Sequence, residues 1–200
     1  SDVSTNTWNT VIRLGVFERF ELSGLVNLKH RLVEFDNYFY DSDWEEKSLN
    51  QVAFGARYNI SKNEEIIPAI GIQSRLTFLL PSDLDPREES TLNNILVISN
   101  KITPNLSFMT NWLLIVPGSE PQMRTAYVAN LSYSFTDKLG TFVEIYGDLG
   151  ESPNLNYDGG FSFLVNNDLQ LDVSAGYQGT NLFPEYFIDF GVSWRIDWRE

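Results

Sequence analysis

Ile188-Asp189-Phe190-Gly191-Val192-Ser193-Trp194-Arg195-Ile196 is the stretch that decides the fold class. Every second residue, Ile188, Phe190, Val192, Trp194 and Ile196, is large and apolar, and Asp189, Gly191, Ser193 and Arg195 fall between them. A period of two belongs to an extended strand with one apolar and one polar face. The preceding segment repeats it: Leu169, Leu171, Val173, Ala175 and Tyr177 alternate with Gln170, Asp172, Ser174, Gly176 and Gln178.

Working outward, the same alternation predicts about eleven strands, near 8–16, 20–35, 50–60, 66–80, 91–102, 106–116, 125–135, 139–148, 157–165, 169–178 and 186–196. Most are longer than the roughly five or six residues usual in globular sheets and match the roughly 9–11 of a tilted membrane-crossing strand. Short turns at 17–19, 61–65, 103–105, 136–138 and 166–168 alternate with longer loops at 36–49, 81–90, 117–124, 149–156 and 179–185. Outer-membrane barrels sort their connections in this way, short on the periplasmic side and long outside. The expectation is therefore an all-β, membrane-spanning, antiparallel up-and-down β-barrel in one domain, 1–200, with a periplasmic C-terminus. Because the first strand already runs inward, an even-stranded barrel of about twelve strands needs one more strand before Ser1.

Composition agrees. Aromatic residues make up 14% of the chain, and no run of about 18 apolar residues offers a transmembrane helix. Barrel strands escape such a search because they are short and alternating. The formal net charge of −13 argues against a binder of nucleic-acid backbone. Cysteine is absent, which removes disulfides and thiolate metal sites.

In a barrel the apolar residues face lipid and the polar ones face the lumen, since Arg or Lys at mid-bilayer costs about 2–4 kcal/mol. Parity then predicts lumen-lining charges of both signs: Arg13, Glu21, Lys29, Arg31, Arg57, Arg75, Glu144, Asp172, Asp189 and Arg195. These would either pair into a network that props the interior or line a path for polar and charged solutes. Trp8, Phe17, Phe20, Tyr38, Phe39, Tyr40, Trp44, Phe135, Trp194 and Trp198 fall near strand ends, as interfacial girdles do, whereas Trp112 is mid-strand.

Other motifs are weaker. His30, the only histidine, has the parity of the apolar face and no serine-nucleophile signature beside it, so an enzyme resembling outer-membrane lipases is a remote alternative. Asp36, Asp41, Asp43, Glu45 and Glu46 form an acidic stretch rich in aromatics. It reads as a solvated loop, or as a site for a protein partner or a hard cation, though the glycine of an EF-hand is missing. Asp83, Asp85, Glu88 and Glu89 repeat the theme. No cofactor motif or metal-ligand cluster is present.

Asp189 to Ile196 resembles the last-strand signal read by the outer-membrane barrel assembly machinery, with Gly191, Trp194 and Ile196 at its glycine, aromatic and hydrophobic positions. The whole chain resembles the outer-membrane transporter family named for a putative meta-pathway of phenol degradation, in its Bacteroidota-type members. The resemblant stretches include Val11 to Val16, Arg19 to Leu22, Gly55 to Tyr58, Ile67 to Ile70, Tyr127 to Phe135, Val143 to Gly147, Asp158 to Phe161, and Asn167 to Asp172 through Gly191 to Arg195. The resemblance implies a Gram-negative outer-membrane location and passage of small molecules. Two functions follow as expectations: a channel or transporter with a charged lumen, or a non-conducting structural or partner-binding barrel within an outer-membrane complex.

Overall fold

A computed structural model describes residues 2–34, 44–62, 67–81, 89–119, 122–150, 153–180 and 183–196. The described residues form eleven strands and no helix. They are β1 (Asp2–Phe17), β2 (Phe20–Glu34), β3 (Trp44–Ser61), β4 (Ala69–Leu79), β5 (Glu89–Lys101), β6 (Leu106–Pro117), β7 (Arg124–Ser134), β8 (Leu139–Asp148), β9 (Asn156–Leu164), β10 (Leu169–Thr180) and β11 (Phe183–Trp194). Strand order in the sheet follows chain order from β1 to β11. The all-β, antiparallel up-and-down class expected from the alternation is observed.

Two strands are longer than their hydrophobic pattern suggests. β1 begins at Asp2 and β3 at Trp44, about six residues before the alternation becomes readable. Ser4 to Thr7, and Glu45 to Ser48, are polar at every position, so both faces meet polar surroundings there and no period of two is written into the sequence. β3 also holds an irregularity. Val26 pairs with Val52 and Asn27 with Gln51, but Leu28 pairs with Leu49, leaving Asn50 as an extra residue. Leu49 and Val52 therefore share the apolar face although their parity differs, as a bulge requires.

The short turns are built by side chains. Thr103 Oγ1 accepts hydrogen bonds from the amides of Asn105 and Leu106, at 3.3 and 3.0 Å. Thr136 Oγ1 does the same for Lys138 and Leu139 at 3.2 and 3.0 Å, and Asn166 Oδ1 for Asp168 and Leu169 at 2.9 and 3.0 Å. Thr-Pro-Asn-Leu, Thr-Asp-Lys-Leu and Asn-Asn-Asp-Leu are thus one device used three times: a short side chain satisfies turn amides that would otherwise lack a partner.

Burial is unlike that of a water-soluble sheet. Among the described residues Ala53 is the buried hydrophobic, and no large side chain is fully buried. Ile12, Leu14, Phe54, Ile72, Trp112, Val143, Phe161, Phe190 and Trp194 are exposed, with Phe190 at 83% and Trp194 at 74%. By register Ile12, Leu14 and Phe54 share one face within the first unit, and Val143, Phe161, Phe190 and Trp194 share one face within the second. Apolar faces of this extent mark an interaction with something other than water.

The chain divides into two compact units. One comprises Ser1–Tyr58, Ile72–Asn94 and Ile115–Met123; the other comprises Asn59–Gly71, Ile95–Leu114 and Arg124–Glu200. They are called the first and second unit below.

Candidate functional site: the polar face

In the first unit the polar face is built around an amide ladder. Asn27 Nδ2 donates to Asn9 Oδ1 at 2.6 Å, and Asn50 Nδ2 donates to Asn27 Oδ1 at 3.0 Å. The bulge at Asn50 is what lets a residue of the wrong parity reach Asn27. Around the ladder the same face carries Arg13 on β1, Glu21, Lys29 and Arg31 on β2, Glu46 and Arg57 on β3, and Arg75 on β4. Five of these seven charges are positive. Arg13 Nε approaches Glu21 Oε1 to 3.9 Å, a loose pair. Glu46 is buried opposite Arg31 in the register.

In the second unit the polar face is acidic. Glu144 on β8 pairs in register with Asp158 on β9. Asp172 on β10 lies opposite Gly191 on β11, and Asp189 lies opposite Ser174. Amides of the same unit hold these carboxylates: Asn130 Nδ2 donates to Glu144 Oε2 at 3.2 Å, and Gln170 Nε2 donates to Asp172 Oδ1 at 2.8 Å. Gly191 has a steric role, because a Cβ there would fall on the Asp172 carboxylate. Asp158 Oδ1 is buried without a hydrogen-bond partner.

Of the expected lining residues, Arg13, Glu21, Lys29, Arg31 and Arg57 share one face within the first unit, and Glu144, Asp172 and Asp189 share one within the second. Arg195 lies beyond the end of β11, where its guanidinium bonds Asp168 Oδ1 at 3.1 Å and the Asn167 carbonyl at 2.9 Å. It ties the end of β11 to the 166–168 turn. Pairing of opposite charges was one expectation; sorting by sign between the two units is what is seen. Asp158 was missed because Gly159-Gly160 beside it reads as strand relief.

Rims and remaining motifs have definite places. His30 is on the apolar face, as its parity predicts; its Nε2 lies 2.9 Å from Glu45 Oε1, and Lys47 Nζ lies 2.7 Å from the same oxygen. Glu45 and Glu46 are consecutive residues of β3 and point to opposite faces, so they do not join in one cation site. Asp36, Asp41, Asp43, Tyr38, Phe39, Tyr40, Asp83, Asp85, Glu88 and Trp198 lie outside the described residues. No cluster of potential metal ligands occurs among the described residues. Aromatic contacts mark the strand ends: Phe17 with Phe20 at 6.4 Å, Tyr133 with Phe135 at 5.2 Å, and a row of Tyr157, Tyr177 and Tyr186 at 5.3 and 5.5 Å. That tyrosine row was not anticipated; it forms because one register line joins β9, β10 and β11.

The chain is similar to a structure described as "KdgM porin in complex with disordered oligogalacturonate", with a TM-score of 0.66 and 12% identity over 98% of this chain and 96% of that one. It is also similar to the translocator domain of the autotransporter NalP from Neisseria meningitidis, with a TM-score of 0.51 and 12% identity over 97% of this chain and 80% of that one. The fold is that of an outer-membrane β-barrel. No protein-family model and no curated protein matches the chain. At this identity the likeness concerns the fold alone, and the sorted charges are a property of this chain's own residues.

Proposed function

We propose that this protein is an outer-membrane channel or transporter for small molecules, with its polar face lining the path. The observation that carries the reading is the division of one sheet into two faces. In each unit one face is studded with exposed large hydrophobics, and the other carries hydrogen-bonded amides and charges. In a barrel fold of this kind the first face meets lipid and the second meets water. The likeness to a porin supports the same reading. The loose resemblance to the phenol meta-pathway transporter family, and a Bacteroidota source, belong with this proposal and add small molecules without naming one.

The three side-chain-capped turns at 103–106, 136–139 and 166–169 support a periplasmic location for that end of the sheet and for the C-terminus. Gly191, Trp194 and Ile196 would then be presented at the periplasmic end to the assembly machinery.

A specific observation favours the second reading, a non-conducting structural or partner-binding barrel. Phe142, Tyr146 and Phe187 lie on the polar face of the second unit, and the Phe187 ring fills the space beside Gly176. Bulky side chains of this kind can fill a narrow interior. Planar-bilayer recording of the purified protein separates the two. Stable conductance steps whose size changes in Phe187→Ala support the path; insertion without conductance in both proteins rejects it.

A further inference from the structure

We propose that Arg13 and Arg75, with Ser23 and Gly55 between them, form a binding site for the oxyanion group of a small solute. The site rests on the first unit alone. The register places its parts in one row across four strands: Arg13 on β1 pairs with Ser23 on β2, and Ser23 pairs with Gly55 on β3. Arg75 on β4 comes next, with its Cβ 3.8 Å from where a Cβ of residue 55 would stand. The middle of the row carries little side-chain bulk. A Cβ at position 55 would lie 2.6 Å from Ser23 Oγ, so a larger residue there would have to push that hydroxyl aside. Two long cations therefore flank a floor that carries a hydroxyl and almost no bulk.

The charges are not used up within the protein. Among the described residues no carboxylate oxygen lies within 4 Å of the Arg75 guanidinium. Arg75 is half-buried, and the row places it next to Gly55, whose neighbour Ser23 pairs with Arg13. Glu21 is the nearest internal competitor for Arg13, and its 3.9 Å approach is longer than a charge-assisted hydrogen bond. An anion seated over the Ser23 and Gly55 floor would accept from the guanidiniums on either side of it. Planar N–H forks match the paired oxygens of carboxylates and phosphates. The ligand class is a small solute bearing a carboxylate or a phosphate. The role of such a site in passage rests on the channel reading; binding itself does not.

The test uses the folded full chain in detergent, titrated with sodium acetate and with sodium phosphate against sodium chloride at matched ionic strength, and read by calorimetry. Binding of one or both oxyanions is expected, weakened about tenfold in Arg75→Gln and in Arg13→Gln, as loss of charge-assisted hydrogen bonds implies. Gly55→Val should abolish it by filling the floor, and Arg124→Gln should leave it unchanged. Preference for acetate assigns the site to carboxylates, and preference for phosphate assigns it to phosphorylated solutes. A response no different from chloride, or one untouched by both Arg75→Gln and Arg13→Gln, overturns the proposal. Bilayer recordings of the same proteins keep the two readings apart: binding without any conductance leaves the site standing and rejects the channel, whereas conductance without oxyanion binding does the reverse.

Discussion

Each unit has a polar face of its own, and the two faces differ in chemistry. In the first, Arg13, Lys29, Arg31, Arg57 and Arg75 dominate over Glu21 and Glu46. In the second, Glu144, Asp158, Asp172 and Asp189 stand without a cation on the same strands' polar positions. The difference teaches that charge on this face is arranged by neighbourhood. A face built only for mechanical support gains most by alternating signs, so that adjacent strands pair across the sheet. Like charges on neighbouring strands repel, and keeping them there makes sense where mobile ions or solutes supply the counter-charge.

The largest expected effect comes from erasing that difference. Asp158→Lys together with Asp189→Lys leaves only Glu144 and Asp172 negative on the acidic face of the second unit and balances them with two cations. Reversal potentials in a salt gradient should then show the cation-over-anion permeability ratio falling by about tenfold or more, the scale on which single-signed linings concentrate counter-ions. An unchanged ratio in a conducting protein would remove the acidic face from the path.

Next in size is a packing contrast between two glycines. In Gly160→Ala the new methyl would run into the Val173 carbonyl and Ser174 backbone, which cannot swing aside. Overpacking of that kind costs about 1–3 kcal/mol. Gly24 has nothing within 4 Å of its missing Cβ, so Gly24→Ala should stay within about 0.5 kcal/mol. Denaturant unfolding of the two variants side by side reads the difference, and equal midpoints would contradict the register of β9 with β10.

Smaller still is Arg195→Ala. Its side chain is 70% exposed although it bonds Asp168 and Asn167, so solvent screens most of the pair. A loss of about 0–1 kcal/mol is expected, with frayed amide protection near Asp168 as the visible consequence.

The smallest effect is at the other rim, in the first unit. The hydrogen bond from Lys47, helped by its charge and by His30, holds the exposed Glu45 carboxyl below its ordinary value of 4.5. A lowered carboxyl contributes fully above the ordinary value and loses that contribution as pH falls through the lowered one. The contact between β2 and β3 at this rim should therefore loosen only in acid, and in Glu45→Gln amide protection there, taken relative to the intrinsic exchange rate at each pH, should not change across that range.

Much of this was legible in the sequence, and the exceptions have causes. Alternation from Leu169 to Ile196 marks strands and faces because each residue there meets either an apolar or a polar medium. The turns at Thr103, Thr136 and Asn166 are readable because a short side chain does the capping locally. β1 and β3 ran longer than read because Ser4 to Thr7 and Glu45 to Ser48 carry no apolar contrast. The extra residue at Asn50 hid behind the parity change it causes. The sorted charges were all named except Asp158, yet their meaning needed the strand order: opposite signs were expected to pair, and only the register shows Glu144 beside Asp158 and Ser23 between Arg13 and Gly55. Arg195 continued the alternation in sequence but lies past the last pairing of β11.

Exposure of alternate β4 residues to water and to lipid is directly measurable, because the chain lacks cysteine. Single cysteines at Ile72, Gln73, Leu76 and Thr77 on β4, in protein reconstituted into lipid vesicles, can be challenged with a membrane-impermeant thiol reagent. The account predicts rapid labelling at positions 73 and 77 and protection at 72 and 76, with protection lost in detergent-free unfolded protein. Equal labelling at all four positions, or protection at 73 and 77 with labelling at 72 and 76, would contradict it.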